Sequence, residues 1–166
     1  DLAGALWLVD MPMAAVAFYL SGLWKLRRAL AADRLLAMVH AGFLWLGGAL
    51  ALFALQSLAR ALGFYVLGLA PLHALGAGYF ASMLLAMASR VTLGHSGQPL
   101  VADEGTWRLF LAFQAAPLLR IAGDLPVPGA RHFYLAAALA WLLCFIMWGI
   151  RYLPTYLKPR ADGQPG

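Results

Sequence analysis

The feature that most limits what this chain can become is its alternation of long apolar runs with short, basic joints. A bilayer crossing needs about 20 mostly apolar residues at a rise of about 1.5 Å each. Five segments meet or approach that length: 2–24, 35–58, 62–89, 107–122 and 132–152. The runs are continuous and do not alternate with period two, which excludes a membrane β-barrel. The expected fold is therefore an all-α polytopic membrane protein of about five transmembrane helices, half of a larger helical bundle. Residues 1–153 form its membrane domain and 154–166 a cytoplasmic tail. In the third run Pro71 marks the expected helix start, with the stretch before it an interfacial or re-entrant turn.

Composition agrees with a lipid environment. Of 166 residues 63% are apolar and 11% charged, against roughly 45–50% and about 25% in soluble domains. So little polar sequence cannot cover a water-exposed surface, which excludes a cytosolic enzyme, a secreted disulfide scaffold and a disordered tail. Cys144 is the single cysteine and is expected to be a buried thiol. The net charge of +5 does not point to nucleic acid, because the basic residues sit at the ends of apolar runs and not as a stripe on a polar face.

Those charges orient the chain. Lys25, Arg27, Arg28, Arg34, Arg90, Arg108, Arg151, Lys158 and Arg160 fall on one side if all five helices cross, and Arg60, Arg120 and Arg131 on the other. Positive loops stay inside, so the expected topology has the chain's first residue outside and its tail in the cytoplasm. The chain begins at Asp1 with an apolar run and no basic leader. It does not resemble a signal peptide and is expected to be a piece of something longer. Trp7, Trp24, Trp107, Trp148 and Tyr152 fall near the predicted boundaries as interfacial anchors.

Within the runs the informative residues are the polar ones. Asp10 is either an intramembrane carboxylate or a group at the outer end of the first helix. His40 lies about one and a half turns into the second run, where it is a metal ligand or a ring bonded to a backbone carbonyl. Gly42 beside it permits close approach of a flat group or of another helix. His73 follows Pro71, next to a stripe of small residues, Ala74, Gly78, Ser82 and Ala86, best read as helix packing. His95 is expected in a Gly-rich loop, with Arg90 a partner for an anionic group or a plain positive-inside anchor. His132 opens the last run and needs no special role. Asp103 and Glu104 are adjacent and do not converge on one substrate. No Cys-x-x-Cys-His, His-Glu-x-x-His or Walker-type loop occurs.

The segments Pro71-Leu-His-Ala-Leu-Gly-Ala-Gly and Leu84-Leu-Ala-Met-Ala-Ser-Arg-Val-Thr-Leu-Gly-His-Ser-Gly-Gln-Pro resemble the central signature of the NnrS family. Val39-His-Ala-Gly-Phe-Leu-Trp and the ending from Arg151 are similar to that family's flanking elements. Phe43 stands where Tyr is frequent and Ser96 where Thr is usual. The likeness is to the C-terminal half of members about twice as long, whose first half carries a further His-rich element. A missing N-terminal half or a partner subunit is therefore expected.

The resemblance implies a bacterial inner-membrane protein of the nitric oxide response and denitrification, containing haem and copper, with nitric oxide as small ligand. It assigns His40, His73 and His95 as metal ligands and Arg90 as a propionate or anion partner. It leaves open which histidine takes which metal. His40 and His95 are expected as neighbours near one membrane face, with His73 toward the other. Binding ranks above turnover, because no chain of carboxylates and lysines leads protons inward. The competing reading is a transporter half, or a structural subunit, whose histidines line a path or join helices.

Overall fold

The computed structural model describes residues 2–24, 29, 33–126 and 128–163. Within them the chain is helical throughout and contains no strand. Asp1, Lys25, Arg27 and Arg28, which entered the topology argument, lie outside the described residues, as do 164–166 of the family-like ending.

A short 3₁₀ turn, Leu2–Gly4, leads into α1, Trp7–Leu23. Helix α2, Arg34–Ala61, follows, and α3 runs over Ala70–His95. Helices α4, Glu104–Phe113, and α5, Ala115–Gly123, are two halves of one interrupted rod. Helix α6, Ala130–Tyr152, ends in a 3₁₀ turn, Leu153–Leu157.

The boundaries follow local chemistry. Asp33 caps α2 by accepting from the backbone N–H of Leu35 and Leu36 at 2.9 and 3.3 Å, and Asp103 caps α4 by accepting from Thr106 N–H at 2.9 Å. Helix α2 closes with Gly63 at φ +84°, where the Phe64 N–H reaches back to the Ala59 carbonyl. Helix α3 closes the same way, with Gly97 at φ +70° and a bond from Gln98 N–H to Leu93 C=O. Both ends have the Schellman pattern, in which glycine supplies the left-handed residue.

The third run begins as expected, and two other expectations change. Residues 62–69 are turns and irregular chain, and the helix begins beside Pro71 as the proline required. It then continues past Ser89 to His95, because nothing before Gly97 breaks it. His95 is thus a helical residue and not part of a loop. The fourth run is not one helix. Pro117 has no N–H to give the Phe113 carbonyl, and the rod breaks at Gln114. Helices α2, α3 and the extended α6 are long and apolar enough to cross a membrane, and α1 is a shorter apolar helix.

Neighbouring helices pair antiparallel along the chain: α1 on α2, α2 on α3, α3 on the α4–α5 rod, and the rod on α6. The tightest core, Leu35, Met38, Leu85, Phe110, Phe113 and Cys144, lies where α2, α3, α4 and α6 meet. The small-residue stripe of α3 is buried along its length. A π-helical segment, Ala74–Phe80, interrupts α3. Its wider turns take back the drift that four-residue steps accumulate in an α-helix, which keeps the stripe on one face. The outer sides of α1 and α6 leave Leu8, Val16, Leu139, Ile146 and Ile150 exposed, as a lipid-facing surface requires. Arg34 pairs with Glu104 at 2.6 Å, Arg151 pairs with Asp103, and Ala161 N–H bonds Ser96 C=O at 2.8 Å. The described charges assigned to one membrane face therefore gather at one end of the bundle.

Two outcomes are expected. A Cβ on Gly78 would lie 2.6 Å from the Trp45 indole, whereas one on Gly76 meets nothing within 4 Å. Gly78→Ala should lower stability by about 1–3 kcal/mol through overpacking, and Gly76→Ala should leave it unchanged or raise it slightly. Melting of the detergent-solubilised protein checks both. The Arg108 and Arg34 guanidiniums hold the Glu104 carboxyl below its usual range. A depressed carboxyl stabilises the fold at and above the ordinary glutamate value, and this is lost as pH falls through the lower, folded-state value. Glu104→Gln should flatten that acid limb of a melting-temperature profile.

Candidate functional site

Asp124 organises the cluster that carries most chemistry. It follows the last residue of α5, and its side chain is 6% exposed. One carboxylate oxygen accepts from His73 Nδ1 at 2.8 Å. The other accepts from Arg120 Nη1 at 2.9 Å and from the Tyr134 hydroxyl at 3.2 Å. Arg120 also lies 4.1 Å above the Tyr134 ring. Local sequence arranges each contact. Arg120 and Asp124 are i,i+4 on α5, His73 sits in the first turns of α3 beside Pro71, and Tyr134 fits against Gly123, where a Cβ would come within 2.4 Å of the ring.

The carboxylate receives the Nδ1 proton of His73, so the neutral ring carries its lone pair on Nε2. His73 lines a cavity of about 230 Å³ between α3, α5 and α6, together with Ala77, Ala116, Arg120, Ala137 and Trp141. Alanines on three helices make a narrow, apolar slot with one histidine and one arginine on its wall. A histidine whose far nitrogen donates to a carboxylate is the usual arrangement of a metal-bound imidazole.

His40 is buried on α2. Its Nδ1 lies 2.8 Å from the Leu36 carbonyl, and Trp24 meets the ring edge-on at 6.1 Å. A carbonyl only accepts, so here too Nε2 carries the lone pair. Gly42 admits Met83 of α3, whose backbone nitrogen would stand 3.3 Å from an added Cβ; its small size serves helix packing. His95 and Arg90 are exposed and share a concavity of about 430 Å³ with Arg160. Asp10 is half-buried in the first turn of α1, with no side-chain partner among the described residues. An acidic group there faces the positive end of the helix. His132 bonds the Gly129 carbonyl at 3.2 Å at the start of α6.

The histidines do not converge. Gly42 and Met83 are level across the α2–α3 contact. His40 lies two residues from that level and His95 twelve, toward the same end. At about 1.5 Å per residue they stand about 15 Å apart along the axis, and His73 lies about 18 Å from His40 the other way. The expected pairing of His40 with His95 is therefore not formed. Among the described residues no three His, Cys, Asp or Glu side chains gather as a metal cluster.

Sequence reasoning missed Asp124 and Gln114, and read Arg160 only as a charge that orients the chain. The Arg120–Asp124 spacing was visible as an i,i+4 pair, but its joining to His73, 51 positions away, was not. Gln114 accepts from Trp45 Nε1 at 2.7 Å and donates to Ser82 Oγ at 3.2 Å and to the Phe110 carbonyl at 3.1 Å. Trp24 and Trp148, expected as interfacial anchors, also have inner partners: His40 for the first and, for the second, Ser89 Oγ at 2.9 Å. Asp124→Ala should cost about 3 kcal/mol, the lower end for breaking a buried ion pair, because Arg120 and His73 each keep about a quarter of their side chains exposed. Thermal unfolding of the variant in detergent measures it.

No curated protein and no solved structure matches the chain. Residues 2–160 match the family described as NnrS protein. That match runs through the six helices of the described residues and includes His40, His73, Arg90, His95 and Asp124, so the chain belongs to the NnrS family.

Proposed function

We propose that this chain binds haem at the slot beside His73 and serves the nitric oxide response of a bacterial cytoplasmic membrane. Membership of the NnrS family supports a nitric oxide-response membrane protein in general terms. The observation that selects this slot is the Asp124–His73 hydrogen bond, which fixes the ring and leaves Nε2 as the ligand atom. Haem needs a single protein nitrogen where other metals need several, which suits a chain whose histidines stand apart. Arg120, on the same slot, supplies a cation for a propionate. The alanines of α3, α5 and α6 leave room for a flat edge. When bound, haem would supply an iron able to take up a small gas such as nitric oxide.

Among the described residues no three His, Cys, Asp or Glu side chains gather, so this reading assigns a haem site and gives copper no site of its own. The reading is therefore binding or sensing, in support of denitrification-linked metabolism, with Arg34, Arg90 and Arg151 at the cytoplasmic face by the positive-inside rule.

The test is a reduced-minus-oxidised visible spectrum with metal analysis of the detergent-purified protein. A haem band is expected that His73→Ala abolishes or shifts. Asp124→Asn should weaken haem retention about 10–100-fold, while His40→Ala and His95→Ala leave the band unchanged. A band that survives His73→Ala and disappears with His40→Ala would overturn the assignment. A featureless spectrum from folded protein would return the histidines to helix packing or a transport path.

A further inference from the structure

We propose a second site at the opposite end of the bundle: the concavity at the end of α3 holds the phosphate of an anionic phospholipid, with an acyl chain along Met87 and Val91. Met87, Arg90 and Val91 lie on one side of α3 by their i, i+3, i+4 spacing, and all three are exposed. They line the concavity with His95, Leu100 and Arg160. Arg90 has no carboxylate partner among the described residues.

Arg160 is brought there by the tail. Ala161 N–H bonds the Ser96 carbonyl at 2.8 Å, and the missing side chain of Gly97 leaves room for Asp162, whose carboxylate carbon lies 2.5 Å from where a Cβ would be. Asp162 accepts from Arg160 Nε at 3.0 Å and Nη2 at 2.6 Å. That fixes the guanidinium while using only part of its donor set. The described part of the expected cytoplasmic tail, residues 154–163, thus contributes a held cation over the end of a membrane helix.

The combination selects the occupant. A free anion needs the cations alone and gains nothing from Met87, Val91 and Leu100, which are each nearly half exposed. A phospholipid uses both: phosphate oxygens on Arg90 and Arg160, and a chain on the apolar side chains beside them. The level is right as well. Helix α3 has 26 residues, about 39 Å against a hydrocarbon core of about 30 Å, so its last turns rise among the headgroups. Basic pockets at the ends of membrane helices are sites of this kind.

Native mass spectrometry of the full chain, released from micelles containing equal phosphatidylglycerol and phosphatidylcholine, tests the site. The wild-type protein should retain phosphatidylglycerol in preference. Arg90→Gln and Arg160→Gln should each weaken that retention about tenfold, as loss of a charge-assisted contact does. Gly97→Val, which displaces Asp162, should do the same without touching either arginine. His73→Ala should leave retention unchanged, which separates this site from the haem slot. Equal retention by the wild type and both arginine variants would overturn the proposal. Displacement of the lipid by millimolar inorganic phosphate would also overturn it, in favour of a small-anion site.

Discussion

Pro117 denies the Phe113 carbonyl a helical donor, and in a bundle whose outer faces are apolar no water is at hand to replace it. Gln114, at the resulting break, turns that disruption into the junction of three helices: its amide accepts from Trp45 of α2, donates to Ser82 of α3, and folds back on Phe110 of its own rod. The same necessity governs the rest of the interior. No buried side-chain nitrogen or oxygen among the described residues lacks a partner. Polar groups in such surroundings are costly when alone and directional when paired. They set the register of helices that oily side chains alone would allow to slide.

The two ends of the bundle use charge differently. Where α2 and α4 start and α6 ends, Arg34, Glu104, Arg108, Asp103 and Arg151 form pairs with side chains 41–76% exposed. Pairs of that kind contribute little each and weaken with salt; they orient the helix ends more than they hold them. At the other end Asp124 is almost wholly enclosed and carries three donors at once. Exchanging any of the three changes the surroundings of the others. His73 is therefore part of a coupled cluster and not a lone ring.

Much of the fold was legible in the sequence because membrane helices are written in continuous apolar residues and ended by few signals. Pro71 marked a boundary through backbone chemistry that needs no tertiary knowledge, whereas the helix ends beside Gly63 and Gly97 went unread and were placed at 58 and 89. The stripe from Ala74 to Ala86 declared a packing face, and the structure buries it. The site was legible only in part. Single histidines were visible, but their meaning depends on what faces Nδ1, and that partner is distant for His73 and local for His40. Asp124 was overlooked because it sits at a helix end, where carboxylates are ordinary. Gln114 was overlooked because an uncharged amide within an apolar run does not stand out.

Three histidines in motifs that resemble one family's signature invite a single multi-ligand centre, and the spacing of the helices argues against it. Antiparallel neighbours locked at Gly42 and Met83 fix the height of every residue on α2 and α3. Neither helix can slide by ten residues without breaking the Trp45–Gln114–Ser82 junction. Each histidine therefore has to be understood from its own surroundings. Beside His73 stand a carboxylate, an arginine and a slot; beside His40, a carbonyl and an indole; beside His95, two arginines and open apolar surface. The first combines an oriented nitrogen with a cavity between three helices; the last faces outward at the end of α3.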